Sequence, residues 1–198
     1  DIVIIATGGM ANIALYETGQ DAEHVVSSWD IISGDVTPAQ SVLVYDEAGD
    51  HAGLQAAEIA MKTGSNVEIM TPDRTFAPEV MAMNLTPYMR ALQADNVTFT
   101  VTQRLKAVAK DGNRLAATIG TDYSDRTTVQ HYDQVVVNYG TLPLDDLYFD
   151  LKDMSSNRGE LDHDAFIDRK PQTITTNPDG AFQLFRIGDA VSARNTHA

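Results

Sequence analysis

Cysteine is absent from all 198 residues. Its absence excludes disulfides, thiolate metal sites, iron–sulfur ligation and a redox-active CxxC pair within this stretch. Long apolar runs are missing too. None approaches the length of a membrane span, and no signal peptide opens the chain. Cations are scarce: 14 Lys and Arg against 28 Asp and Glu leave a formal charge of −14. That argues against nucleic acid or an anionic membrane as a partner, because both require clustered positive charge. Acidity of this size serves solubility, and a docking surface for a basic partner is the alternative reading. The five histidines show no metal spacing, and no Ser/His/Asp arrangement stands out. No catalytic residue is assigned. The absence of cysteine fits a cytoplasmic protein.

What is present is ordinary globular sequence, 43% hydrophobic and 21% charged, long enough to bury a core as one large or two small domains. The central stretch Ser41–Asp73 organises the rest. Ser41–Tyr45 is a short β-branched apolar run, and Asp46–Ala52 is polar and turn-like. From Gly53 to Lys62 apolar residues recur at helical spacing, Gly64 suits a helix C-terminus, and Val67–Thr71 reads as a second strand. This is half of a dinucleotide-binding βαβ unit.

Around it, Ile2–Ala6 reads as a strand ending at Gly8-Gly9. His24–Ile32 reads as either a short helix or an extended linker. Pro78–Ala94 reads as one bent helix or two short ones, since Asn84 and Pro87 interrupt it. Its methionines, Met81 to Met89, are read as core. From Val97 the period changes to two: Val97–Thr102, Leu105–Ala109, a hairpin turn at Asp111-Gly112-Asn113, Leu115–Ile119 and Thr127–Tyr132. Gln134–Asn138 has the apolarity of a central strand buried on both faces. Residues 145–180 read as polar loops, and Phe182–Ile187 as a final strand running into Gly188-Asp189. The expected fold is α/β: a Rossmann-like NAD(P)-type domain with a three-stranded meander over 37–140. It is inserted in a partial FAD-type α/β domain made of 1–36 plus 141–198. The chain begins directly in a buried-type strand and ends in a turn entering a helix of roughly two turns. It therefore reads as a piece of a longer protein.

The order ATGG, βαβ, VVVNYG, RIGDA resembles the pyridine-nucleotide–disulfide-reductase architecture, in which an NAD-type domain interrupts an FAD-type one. Ile4–Gly9 resembles the ATG motif leaving the first domain. Phe185–Ala190 resembles the GD motif, whose aspartate contacts FAD. Within that architecture the chain resembles the C-terminal half of old-yellow-enzyme-related NADH:flavin oxidoreductases. These include trimethylamine and histamine dehydrogenases, 2,4-dienoyl-CoA reductase and the N-methylproline or dimethylglycine demethylases. The turn VYDEAGDHAGLQAAE and the tail Gly188–Ala198 particularly resemble the demethylase branch. The resemblance implies a preceding β/α barrel with FMN and an iron–sulfur cluster, and FAD or ADP in the intact protein. It also implies an electron donor or acceptor protein as a possible partner, and a segment that is inactive by itself.

The candidate cofactor-binding residues are Gly8, Gly9, Gly49, Asp50, His51, Ala52, Gly53, Gly188 and Asp189. Aligned on G-x-G-x-x-G, positions 48–53 keep only the third glycine, Gly53. Asp50 stands where cofactor pyrophosphate needs bare backbone. At about 5 Å and an effective dielectric near 20, that repulsion costs roughly 3 kcal/mol. Asp46 and Glu47 worsen the local field, with His51 as a partial offset. Thr71 replaces the ribose-binding acid, and Arg74 is read either as a group for a 2′-phosphate or, more in keeping with an isolated arginine after a strand, as a solvated side chain. NAD(P)H is thus possible but disfavoured. The helix N-terminus at Gly53 still offers N–H groups to an anion. Asp189 is read either as an FAD contact or as a helix cap. Two other functions compete with a nucleotide-binding segment: a functional NAD(P)H-binding reductase domain, and a non-catalytic domain for structural support or partner docking.

Overall fold

Val42-Leu43-Val44-Tyr45 and Val135-Val136-Val137 carry no polar alternation because both faces of their strands are covered. Val42, Val44, Val67, Ile69 and Val136 point into a core shared with helices. Leu43, Tyr45, Met70, Val135 and Val137 point into a second core behind the sheet. Parallel strands buried on two faces have this near-continuous apolar character. A computed structural model describes residues 1–13 and 24–193. It divides into two units, Ala11–Gly140 and Asp1–Met10 with Thr141–Ala198.

The larger unit is built on a five-stranded parallel sheet. In chain order its strands are β3 (Val26–Ser27), β4 (Ser41–Asp46), β5 (Asn66–Met70), β6 (Thr98–Thr100) and β10 (Gln134–Asn138). In space they run β3-β10-β4-β5-β6, every neighbour parallel. One face is covered by α1 (Ser28–Ser33), α2 (His51–Lys62) and α3 (Ala82–Ala94). The other is covered by an antiparallel sheet of β7 (Arg104–Asp111), β8 (Arg114–Thr121) and β9 (Ser124–Tyr132). Leu105, Val108, Ala117, Ile119 and Tyr132 supply that second core. Each fully buried aliphatic side chain here contributes roughly 1.5–3 kcal/mol.

Segment 24–36, read with the flanks on sequence grounds, falls within the larger unit. β3 pairs β10, and Ser27 with Asp30 forms a capping box that starts α1. Gly34, at φ 84°, ends that helix. The unit also begins and ends at one place, where the Asn12 N–H donates to the Gly140 carbonyl at 2.9 Å.

Pro87 lies inside α3, which runs as one helix from Ala82, four residues later than the sequence reading. Met81 and Met83 are exposed, at 56% and 85%, which corrects their reading as core. Leu85, Tyr88 and Leu92 carry the packing instead, so the apolar stripe is narrower than the run of methionines suggests.

In the smaller unit β1 (Ile2–Ile5) pairs in parallel with β12 (Gln183–Arg186). β2 (Gly9–Ala11) pairs with β11 (Thr141–Pro143). Residues 145–180 are not all loop: α4 (Asp146–Lys152) and α5 (His163–Ile167) form there. Tyr148 and Leu151, one helical turn apart, pack with Ile5, Leu184 and Ala190. Asn157 clamps β12 from its side, donating to the Leu184 carbonyl and accepting its N–H. No described helix is long and apolar enough to cross a membrane.

Candidate functional site

The connections from β4 lead through α2 to β5 on one side, while β10 lies on the other. The carboxyl ends of β4 and β10 therefore flank a crevice at a topological switch point, the place where open α/β sheets take ligands. Two polar residues end these apolar strands there, Asp46 on β4 and Asn138 on β10, and both are buried.

Asn138 joins the crevice together. Its Nδ2 donates to Asp46 Oδ1 at 2.8 Å and to Asp50 Oδ1 at 2.9 Å, while its Oδ1 accepts from the Ser28 hydroxyl at 3.1 Å. Both amide hydrogens are thereby used on carboxylates, which fixes the orientation of the amide. The Asn138 carbonyl accepts from the N–H groups of Glu47 and Ala48. The sequence reading gave Asn138 no role. A polar residue closing the run Val135–Val137 is the signal that marks it.

Asp50 does not stand as a free charge facing outward. It is the N-cap of α2, and its Oδ1 accepts from the Ala52 N–H at 2.9 Å. The helix accordingly begins at His51, two residues before the sequence reading placed it. Gly49 adopts φ +67°, and a Cβ on it would strike the Pro78 ring. Its N–H donates to Asp46 Oδ1 at 3.0 Å. Gly53 is packed against the Asp46 carboxyl. The His51 ring lies 5.9 Å from that of Tyr88. Positions 49–53 thus converge on one turn, filled by the protein's own carboxylates.

Burial raises the Asp46 carboxyl to about 6. The Gly49 N–H and Asn138 oppose the shift, while Asp50 and Asp73 add to it. Its Oδ2 is buried without a hydrogen-bond partner among the described residues. Glu47 is held away from the crevice: it accepts from the Tyr45 hydroxyl at 2.9 Å and pairs with Arg104 at 2.8 Å. Arg104 also grips Asp122 with two parallel bonds, at 2.7 and 2.9 Å. The bonds to Asp122 hold this guanidinium above its usual range, and burial with the adjacent Glu47 charge lifts the Tyr45 phenol. Thr71 is buried, and its hydroxyl accepts from the Asp73 N–H. Arg74 is exposed beside the Tyr123 hydroxyl, which raises the guanidinium further.

The remaining candidates lie in the smaller unit. Gly8, at φ +76°, and Gly188, at φ +62°, have open space where a Cβ would stand. Gly9 does not: a Cβ there would run into Thr141 Cγ2 and lie 2.8 Å from the Leu142 carbonyl oxygen. Close packing of β2 on β11 accounts for that glycine. Asp189 sits in the 3₁₀ turn Gly188–Ala190, is exposed, and that turn has no side-chain cap. His197 and the end of the anticipated final helix lie outside the described residues. Asp162 caps α5 through the Ala165 N–H. Among the described residues no group of three His, Cys, Asp or Glu is placed to hold a metal. A groove of about 470 Å³, lined by His24, Lys110, Arg114 and Asp133, opens at the start of β10.

No family model matches the chain. Curated proteins do. Over 198 residues it is 61% identical to a probable N-methylproline demethylase of Rhizobium meliloti (strain 1021), covering all of this chain and 29% of that protein. It is 36% identical over 207 residues to an N,N-dimethylglycine/sarcosine dehydrogenase of Chromohalobacter salexigens, covering 30% of it. Among solved structures, histamine dehydrogenase from Rhizobium sp. 4-9 superposes with a TM-score of 0.69 at 18% identity, over 98% of this chain and 28% of that one. The last match is a likeness of fold. The chain thus spans under a third of the length of each of these three proteins.

Proposed function

We infer that this chain is the nucleotide-binding segment of a flavin-linked oxidoreductase of the old-yellow-enzyme-related demethylase and amine-dehydrogenase type. It is homologous over its full length to a segment of such enzymes. In this reading the larger unit is an NAD(P)-type Rossmann domain inserted in a partial FAD-type domain, which the smaller unit represents. Substrate chemistry belongs to FMN in a barrel outside this chain, served by an iron–sulfur cluster. This segment holds an adenine nucleotide or FAD and helps electrons reach an acceptor protein. Ile2, Ile4, Phe149, Phe166 and Ile167 are all more than half exposed. Large apolar side chains left exposed in this way suit burial against further polypeptide.

The observation that carries the site assignment is the bond from Ala52 N–H to Asp50 Oδ1. The donor that would meet a cofactor phosphate is already satisfied, and the satisfying group is an anion. NAD(P)H does not fit this turn as a tight ligand. A weakly held adenine nucleotide fits better, bound through the N–H groups of α2 that Asp50 leaves free. In the intact protein FAD would be held at the smaller unit, where Gly8 and Gly188 have open space beside the backbone. There Asp189 would accept from cofactor hydroxyls.

Two measurements on the purified chain test this reading. An absorption spectrum reports bound flavin, and thermal shifts rank ADP, FAD, NADH and NADPH. We expect ADP to shift the melting temperature at least as much as either reduced dinucleotide. A shift of several degrees with NADH and none with ADP would overturn the reading. Asp50 already takes the Ala52 N–H and the Asn138 amide, which favours a second reading, a domain kept for structure or partner docking; no response to any nucleotide would support it.

A further inference from the structure

One group in the turn is left unused by its hydrogen bonding. Asp46 is 1% exposed. Its Oδ1 takes the Gly49 N–H and the Asn138 amide, while Oδ2 is buried with no partner among the described residues. An ionised carboxylate shielded from water requires donors on both oxygens, and here only one is served. The charges that act on it are of its own sign, Asp50 at the cap of α2 and Asp73 beyond β5. β10 contributes neutral Asn138, with Ser28 of α1 behind it. Glu47, next in the chain, is bound by Arg104. His51 opens α2 with its ring against Tyr88. Glu79 lies across the turn, its N–H on the Gly49 carbonyl. The space that would relieve Asp46 is closed by Gly53, whose bare Cα is packed against the carboxyl.

We propose that Asp46 is a proton-binding site built into this turn, and that its protonation governs how readily the N-terminus of α2 accepts a nucleoside phosphate. With a proton on Oδ2 the carboxyl is neutral, and Oδ1 keeps both of its bonds. The turn then presents one negative charge fewer beneath the helix N-terminus. On deprotonation the charge returns and repels the incoming phosphate. Burial brings this transition to about 6, within reach of neutral pH. The proposal rests on the reading of the turn as a weak adenine-nucleotide site.

Calorimetric titration with ADP, between about pH 5 and about pH 8, compares the unmodified chain with Asp46→Asn. Ionisation of the ligand itself is common to both. We expect the affinity of the unmodified chain to fall by about tenfold more than that of the variant across this range, as one added charge requires. His51→Gln should retain the difference. Parallel pH profiles for the chain and Asp46→Asn would overturn the proposal, and so would loss of the slope in His51→Gln. If ADP binds at no pH, the nucleotide reading fails, and carbon-13 NMR of the Asp46 carboxyl decides whether the proton site exists. A midpoint well above the usual aspartate range sustains the proton site; a midpoint at or below that range ends it.

Discussion

A Cβ on Gly53 would lie 2.5 Å from Cγ of Asp46 and 2.7 and 2.9 Å from its two oxygens. The third glycine of a dinucleotide turn is usually explained by helix–strand packing. Here the packing partner is a particular buried carboxyl, tied in place by Gly49 and Asn138. Asp46 has no flexible end to move aside. Gly53→Ala should therefore lower folding stability by about 1–3 kcal/mol, measured by urea denaturation. In an Asp46→Ala background the same change should cost much less, since the obstructing group is gone. Equal losses in both backgrounds would remove the pairing.

Asp46 also makes stability depend on pH. Its folded value of about 6 exceeds the unfolded 3.8, so between these values the folded state binds more protons. Stability is then lost as pH rises through that window, reaching a penalty of about 3 kcal/mol above it. Asp46→Asn keeps an acceptor for Gly49 and carries no charge. The variant should match the unmodified chain near pH 4 and exceed it above pH 7. Denaturation curves across this range check it, and a variant that gains nothing at high pH would refute it.

Asn138 is the only described donor shared by Asp46 and Asp50. Asn138→Ala leaves two adjacent carboxylates without it and deprives Ser28 of its acceptor. A loss of about 2–4 kcal/mol is expected. The Asp46 midpoint should rise further in this variant, a shift that a purely steric loss would not produce.

Arg104 binds Glu47 of the β4 turn and Asp122 of the β8–β9 turn. Arg104→Met should cost about 1–2 kcal/mol, and the cost should shrink at high salt because the ions are part-exposed. Arg104→Lys should recover only part of it, since an ammonium cannot form the two parallel bonds to Asp122. Full recovery with lysine would show that charge alone matters.

The strand–helix–strand centre was legible because Val42–Tyr45 and Val135–Val137 have the composition of strands covered on both faces. Leu54, Ala57 and Ala60 likewise repeat at a helical period. The hairpin at Gly112 was legible from turn chemistry, and the glycine takes φ +61° there. α4 was missed because seven residues give too few turns for a period, and its aromatics lie among acids. The site was half legible. Asp50 was visible as an intruder in a glycine pattern, but sequence assigned it repulsion where the fold assigns it a cap. Asn138 lies 88 residues from Asp50, and no local pattern can bring such a pair together. Glu47 looked like a free charge for the same reason: Arg104, its neutralising partner, is 57 residues away.

The bond between Asn12 and Gly140 has a consequence for how the chain tolerates change. A segment whose two ends meet presents its host with a fixed, short gap, whatever lies inside. Closure entropy grows only slowly with loop length in any case, and here the closure is made within the segment itself. To Ile5 and Leu184 the whole of Ala11–Gly140 weighs as a single tight turn. Lengthening a hairpin inside it should therefore leave the register of Ile2–Ile5 on Gln183–Arg186 untouched, as if the two strands had been neighbours in sequence all along.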